Sequence, residues 1–113
     1  RHAFTLNEFK QMKPSALLIN TARGPVVKEE DLCSALREGL IFGAGLDVYE
    51  HEPRVSSPLL QEERAFLLPH LGSATEETRA VMARMAADNI VAALAGQVPP
   101  NVVRPAGYRL PQN

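Results

Sequence analysis

With 113 residues, 22% of them charged, and a formal net charge of −1, the chain has material for one modest domain and lacks the basic footprint of a nucleic-acid binder. No apolar run reaches the length of a membrane span, and the opening RHAFTLNEF has no charged start followed by an apolar signal core. The single cysteine, Cys33, excludes an internal disulfide framework and fits a reducing, cytoplasmic compartment.

In chain order, Thr5 with Glu8 three residues on predicts a capping box that opens a helix over 6–13, ended by Pro14. The continuous apolar run 16–19 reads as a strand covered on both faces in a parallel sheet. A helix follows over 28–38. Glu29, Glu30 and Asp31 sit in its first turn, Arg37 in its last, Leu32, Ala35 and Leu36 on one face, and Gly39 at its stop. Residues 41–48 read as a second strand, with Gly43 and Gly45 allowing close approach of a neighbouring backbone or ligand. After the irregular stretch HEPRVSSP comes a third strand over 65–68.

The longest element is a helix that Ser73 and Glu76 would cap. Its stripe of Met82, Met85, Ala86, Ile90, Ala93 and Leu94 runs until Gly96. At about twenty residues it would span about 30 Å, and its alanines would let a partner domain or subunit approach closely. The tail, QVPPNVVRPAGYRLPQN, is proline-rich and reads as an extended strap.

This order predicts the C-terminal half of a doubly wound α/β parallel sheet. The partial cofactor-type domain would cover 1–74, the long helix 75–96, and the tail 97–113. No G-x-G-x-x-G follows a strand, and the GAG at Gly43–Gly45 lies inside one. The chain also lacks an initiator methionine and is short for an enzyme that holds both dinucleotide and substrate, so a piece of a longer protein is expected.

Three polar residues stand just past the apolar runs, where open α/β sheets collect their chemistry: Arg23 in NTARGPVV, Glu52 in LDVYEHEP and His70 in LLPHLGSAT. Arg23 offers a planar fork for a carboxylate. His70 can exchange a proton near neutral pH, and a carboxylate such as Glu52 beside it favours imidazolium. Together they point to hydride chemistry on a small acid. No metal site is expected.

The segments KPSALLINTARGPVVKEEDLCSAL, GAGLDVYEHEP and LLPHLGSATEETR resemble the C-terminal part of the D-isomer-specific 2-hydroxyacid dehydrogenases, and among them the glyoxylate/hydroxypyruvate reductases. The three motif residues occur in order, 29 and 18 residues apart. The resemblance implies a Rossmann-type cofactor domain, a second substrate domain, a homodimer in the full-length protein, and NADP or NAD as cofactor, with NADPH favoured. It implies Arg23 as the substrate-carboxylate ligand, His70 as acid/base and Glu52 as its partner. It also implies Asp47 as the contact to the nicotinamide carboxamide, with Thr21, Ala22, Arg23, His70, Leu71 and Gly72 lining the cofactor. The substrate would be a small 2-oxo or 2-hydroxy acid, and the segment alone is expected to be inactive.

Taken singly, each residue has a plainer explanation. Arg23 would be a surface ion-pair partner, His70 a capping or core histidine, Asp47 a turn cap, and Ser73 a helix cap. Cys33 reads as a small buried hydrophobe, and His2 and His51 as solvated. For the whole chain, a dinucleotide-sensing corepressor-like module and an inactive truncated product are the competing readings. Formate dehydrogenases share the resemblance but carry glutamine where Glu52 stands.

Overall fold

The computed structural model describes residues 1–103. Two compact units divide at Gly72 and Ser73. In the first, β1 (Leu17–Asn20), β2 (Gly43–Leu46) and β3 (Ala65–Leu67) form a parallel sheet in the order β1-β2-β3. Leu18 pairs with Ala44, and Leu46 with Leu67. Parallel neighbours need a crossover, and α2 (Glu29–Arg37) supplies it between β1 and β2.

The helices follow local chemistry. In α1 (Leu6–Phe9), the Thr5 side chain accepts the Asn7 N–H while Glu8 reaches back to the Thr5 N–H, so the capping box forms. The helix is shorter than the 6–13 expected, because the box secures only its first turn. In α2 the first turn is acidic and Gly39 adopts φ +69, the left-handed conformation that closes many helices. Its Lys28 N-cap provides no side-chain bond, and Glu50 from a distant loop accepts the Glu29 N–H instead. The stretch expected to be irregular, 51–58, gives its last two residues to α3 (Ser57–Leu60), and a single 3₁₀ turn covers Gly24–Val26.

Phe9, Leu32, Leu36, Ile41 and Leu59 are fully buried and join Leu18, Ala44 and Leu46 in one core. That core places α1, α2 and α3 on one face of the sheet. On the opposite face Leu17 is 60% exposed, Ile19 65% and Phe66 70%. The expectation that the 16–19 run is covered on both faces is therefore corrected: the first unit puts helices on one face only, so burial along β1 alternates. The two glycines do serve close approach. A Cβ on Gly43 would crowd the Arg64 carbonyl, and one on Gly45 the Ile19 side chain.

The second unit is dominated by α4 (Glu76–Leu94). Its N-cap is Thr75, which accepts the Thr78 N–H, and not the expected Ser73; of two nearby hydroxyls, the one adjoining the first helical residue takes the role. Gly96 at φ +70 ends the helix, and no residue of α4 is buried. The start of the expected strap folds back: Asn89 accepts the Asn101 N–H at 3.0 Å and donates to its side chain at 3.2 Å. Residues 104–113 of that strap lie outside the described residues. No described helix is long and apolar enough to cross a membrane.

Candidate functional site

A polar residue ends or follows each strand at the carboxyl edge of the sheet, where ligands of open α/β folds collect: Asn20 closes β1, Asp47 follows β2, and His70 stands three residues past β3. At the end of β1, Asn20 is 5% exposed, and its amide turns the chain sharply. It accepts the Ala22 N–H and donates to the Arg23 carbonyl, both at 3.1 Å. This Asx-type turn projects Thr21, Ala22 and Arg23 into solvent. Arg23 Nη1 donates back to the Ala22 carbonyl at 2.6 Å.

Directly after Arg23, Gly24 is buried against the loop that follows β2. A Cβ there would overlap the Tyr49 carbonyl group and the Glu50 nitrogen. Only glycine permits that approach, and it brings the Arg23 loop against the loop that carries Glu52.

After β2, Asp47 is 4% exposed and spends its carboxylate on the backbone. One oxygen accepts the Leu71 N–H at 2.6 Å and the other the Gly72 N–H at 2.7 Å. The segment just beyond His70 is thereby tied to the end of β2. His70 itself has φ +56, a conformation that costs a non-glycine residue about 1 kcal/mol or more and marks positions held for a reason.

The central contact joins His70 and Glu52. His70 Nδ1 lies 2.9 Å from Glu52 Oε2, while Glu52 Oε1 accepts the Tyr49 N–H at 2.9 Å. The Tyr49 N–H, then His70 and, more weakly, the charge of Arg23 hold the Glu52 carboxyl below its usual range. An ionised carboxylate only accepts, so Nδ1 carries the proton of this bond and Nε2 is left free to face a ligand.

Of the residues singled out in the sequence, Glu52 and His70 are bonded, and the Arg23 turn is packed through Gly24 against the loop that carries Glu52. Asp47, Leu71 and Gly72 form one connected group beside them, with Thr21 and Ala22 exposed on the Arg23 turn. His51 is exposed, as expected. His2 is not freely solvated: its ring bonds the Glu50 carboxylate, which also accepts the Glu29 N–H, while Glu29 in turn accepts the Glu50 N–H at 2.6 Å. Burial pushes the Glu50 carboxyl up, but these donors outweigh it and hold it below the usual range. Cys33 is buried on α2, and burial pushes its thiol up, in keeping with a small hydrophobe.

Sequence reasoning passed over Asn20, Tyr49 and Glu50. An asparagine at a strand end is a turn signal and was available for Asn20; the other two act through partners remote in sequence. Among the described residues no cluster of histidine, cysteine and carboxylate side chains is set to hold a metal.

Residues 1–72 match the family model for the D-isomer specific 2-hydroxyacid dehydrogenase, NAD binding domain. The chain is 51% identical over 106 residues to glyoxylate/hydroxypyruvate reductase B of Salmonella paratyphi B, covering 93% of this chain and 33% of that protein. The corresponding protein of Escherichia fergusonii is 54% identical over 105 residues, covering 92% and 32%. In structure, the chain resembles the NADPH-dependent glyoxylate/hydroxypyruvate reductase from Sinorhizobium meliloti, solved in complex with NADP and malonate. The TM-score is 0.80 at 40% identity, over 83% of this chain and 30% of that one. The chain thus spans about a third of the length of these relatives, and its parallel sheet is part of a Rossmann-type fold. Parallel sheet, strand-end polar residues and a family match over 1–72 agree that the chain belongs to the D-isomer specific 2-hydroxyacid dehydrogenase family.

Proposed function

We infer that the chain is the part of a longer NAD(P)-dependent reductase that carries the proton-transfer pair and the substrate-carboxylate arginine, acting on glyoxylate, hydroxypyruvate or a similar small 2-oxo acid. The observation that carries this reading is the Glu52–His70 Nδ1 contact at the carboxyl edge of a parallel sheet, with the Arg23 turn packed through Gly24 against the loop that carries Glu52. Identity above 50% to glyoxylate/hydroxypyruvate reductases supports the substrate class, and the NADP in a similar structure favours NADPH.

The residues present fit the nicotinamide end of such a cofactor. Asp47 keeps lone pairs beyond the two it spends on Leu71 and Gly72, enough to accept from a carboxamide. Thr21 and Ala22 offer exposed backbone on the same edge. When bound, the nicotinamide supplies the hydride for reduction or accepts it for oxidation. Arg23 binds the substrate carboxylate through its fork and points the carbonyl at His70. Glu52 holds Nδ1, so the proton at Nε2 goes to the carbonyl oxygen as the hydride reaches the carbon; oxidation returns it to Nε2. A pyrophosphate-binding glycine loop, a substrate domain and a homodimer partner belong on this reading to the longer protein, with α4 as the helix that returns to the substrate domain.

The test is His70→Ala in that longer protein. Oxidation of NADPH or NADH with glyoxylate or hydroxypyruvate should slow about 10²- to 10⁴-fold while dinucleotide binding is kept. Unchanged turnover refutes the acid/base role. Dinucleotide binding by the unaltered protein with no turnover of any 2-oxo acid would favour the sensing module.

A further inference from the structure

The Glu52–His70 pair joins two loops, and both side chains are substantially exposed, a setting in which side-chain entropy works against a fixed contact. The segment approaching His70 also borders a cavity of about 330 Å³ whose lining includes Tyr49, Glu52, Val55, Leu67, Leu68 and His70. One buried residue touches both arms of the pair. The Tyr49 N–H donates to Glu52 Oε1, leaving Oε2 for His70. The Tyr49 hydroxyl donates to the Leu68 carbonyl at 2.7 Å, two residues before His70, while the Leu46 carbonyl stands farther off at 3.4 Å. A phenol has one proton to give, and the shorter contact takes it. His70, in its left-handed conformation, therefore sits between two anchors that both come from the end of β2: Tyr49 on Leu68 before it, and Asp47 on Leu71 and Gly72 after it.

We propose that Tyr49 is a positioning residue for the proton-transfer pair: its amide orients Glu52, and its hydroxyl fixes the backbone entering His70 so that Nδ1 meets the carboxylate and Nε2 is presented to the substrate. This role rests on the reading of His70 as the proton donor. Asp47 anchors the far side of the histidine; on the near side the last ladder bond, from the Leu68 N–H to the Leu46 carbonyl at 2.8 Å, stops short of the Leu68 carbonyl and Pro69. Tyr49 holds that carbonyl with one oxygen atom.

The test is the ring ¹⁵N spectrum of His70 in the 113-residue chain at alkaline pH, where the neutral imidazole shows which nitrogen keeps the proton. In the unmodified chain the proton is expected on Nδ1. Tyr49→Phe keeps the ring and removes the donor, and should turn the Nδ1–H form from the majority to the minority while the backbone amide spectrum stays folded. An Nδ1 proton retained in a folded Tyr49→Phe chain overturns the positioning role and leaves the proposed function standing. A proton on Nε2 in the unmodified chain means that no Glu52 bond exists, and both fall. If Tyr49→Phe does not fold, 3-fluorotyrosine in place of tyrosine decides. Its hydroxyl ionises at lower pH, so the Nδ1 proton should be lost at correspondingly lower pH than in the unmodified chain; an unchanged pH of loss overturns the role.

Discussion

At the scale of single residues, the candidate site separates exposed groups available to a ligand from groups that hold them in place. Arg23 is exposed and makes no ion pair among the described residues, so its fork is available to a carboxylate. Lysine would keep the charge and lose the two parallel hydrogen bonds. Arg23→Lys in the longer protein should raise KM for the 2-oxo acid about tenfold, with a smaller effect on kcat, as steady-state kinetics would show. Glu52 makes the pH dependence predictable. Its folded pKa lies below the ordinary carboxylate value, because the Tyr49 N–H and then His70 favour the charged form. The stabilisation it lends is fully present above that ordinary value and is lost as pH falls through the lowered one. Carboxyl ¹³C shifts should therefore place the Glu52 midpoint below that of an exposed glutamate, with the His70 contact breaking in the same acid window. Arg23, Glu52 and His70 were legible in the sequence because each follows an apolar run inside a recognisable motif. Tyr49 and Glu50 were not, because their partners, Leu68 and Glu29, lie 19 and 21 residues away and no local pattern announces them.

At the scale of elements, legibility followed how local each signal is. The helix α2 was readable from its charges and Gly39, and β2 and β3 from apolar runs between turn formers. The extent of α1 was not, since a capping box fixes where a helix starts and says nothing of where packing stops sustaining it. The cap of α4 passed from Ser73 to Thr75 because both hydroxyls suit the role and only the chain path decides. The loops were the least legible elements, and on the proposed reading they carry the chemistry. Gly24 is the clearest case: nothing in ARGPVV shows that a second loop lies against it. Gly24→Ala should cost about 3 kcal/mol or more, because the added methyl meets backbone that cannot rotate away. Denaturant unfolding would show this as a lower midpoint at unchanged slope, and a midpoint equal to that of the unmodified chain would contradict the close approach.

At the scale of the whole molecule, the open sheet face is the main departure from expectation. A continuous apolar run is what a strand covered on both sides presents, and the sequence holds that run; the helices of the first unit cover only one side. Leu17, Ile19 and Phe66 stand in neighbouring register across β1, β2 and β3, where Gly43 and Gly45 leave the middle strand flat. An exposed apolar surface of this kind drives association. The 113-residue chain should self-associate with rising concentration, and Ile19→Thr with Phe66→Thr should shift that onset upward in sedimentation velocity. Insensitivity to both changes would mean that another surface drives it. The contact at Gly24 has a consequence of its own at this scale. On the proposed reading, with the arginine turn seated on the backbone of the glutamate loop, the anion grip and the carboxylate that holds His70 behave as the jaws of a fixed gauge, unable to drift apart independently. On the proposed reading, such a gauge suits acids whose carbonyl adjoins the carboxylate and disfavours those with a carbon inserted between them, so chain length would be judged by the spacing of two loops before any side pocket is consulted.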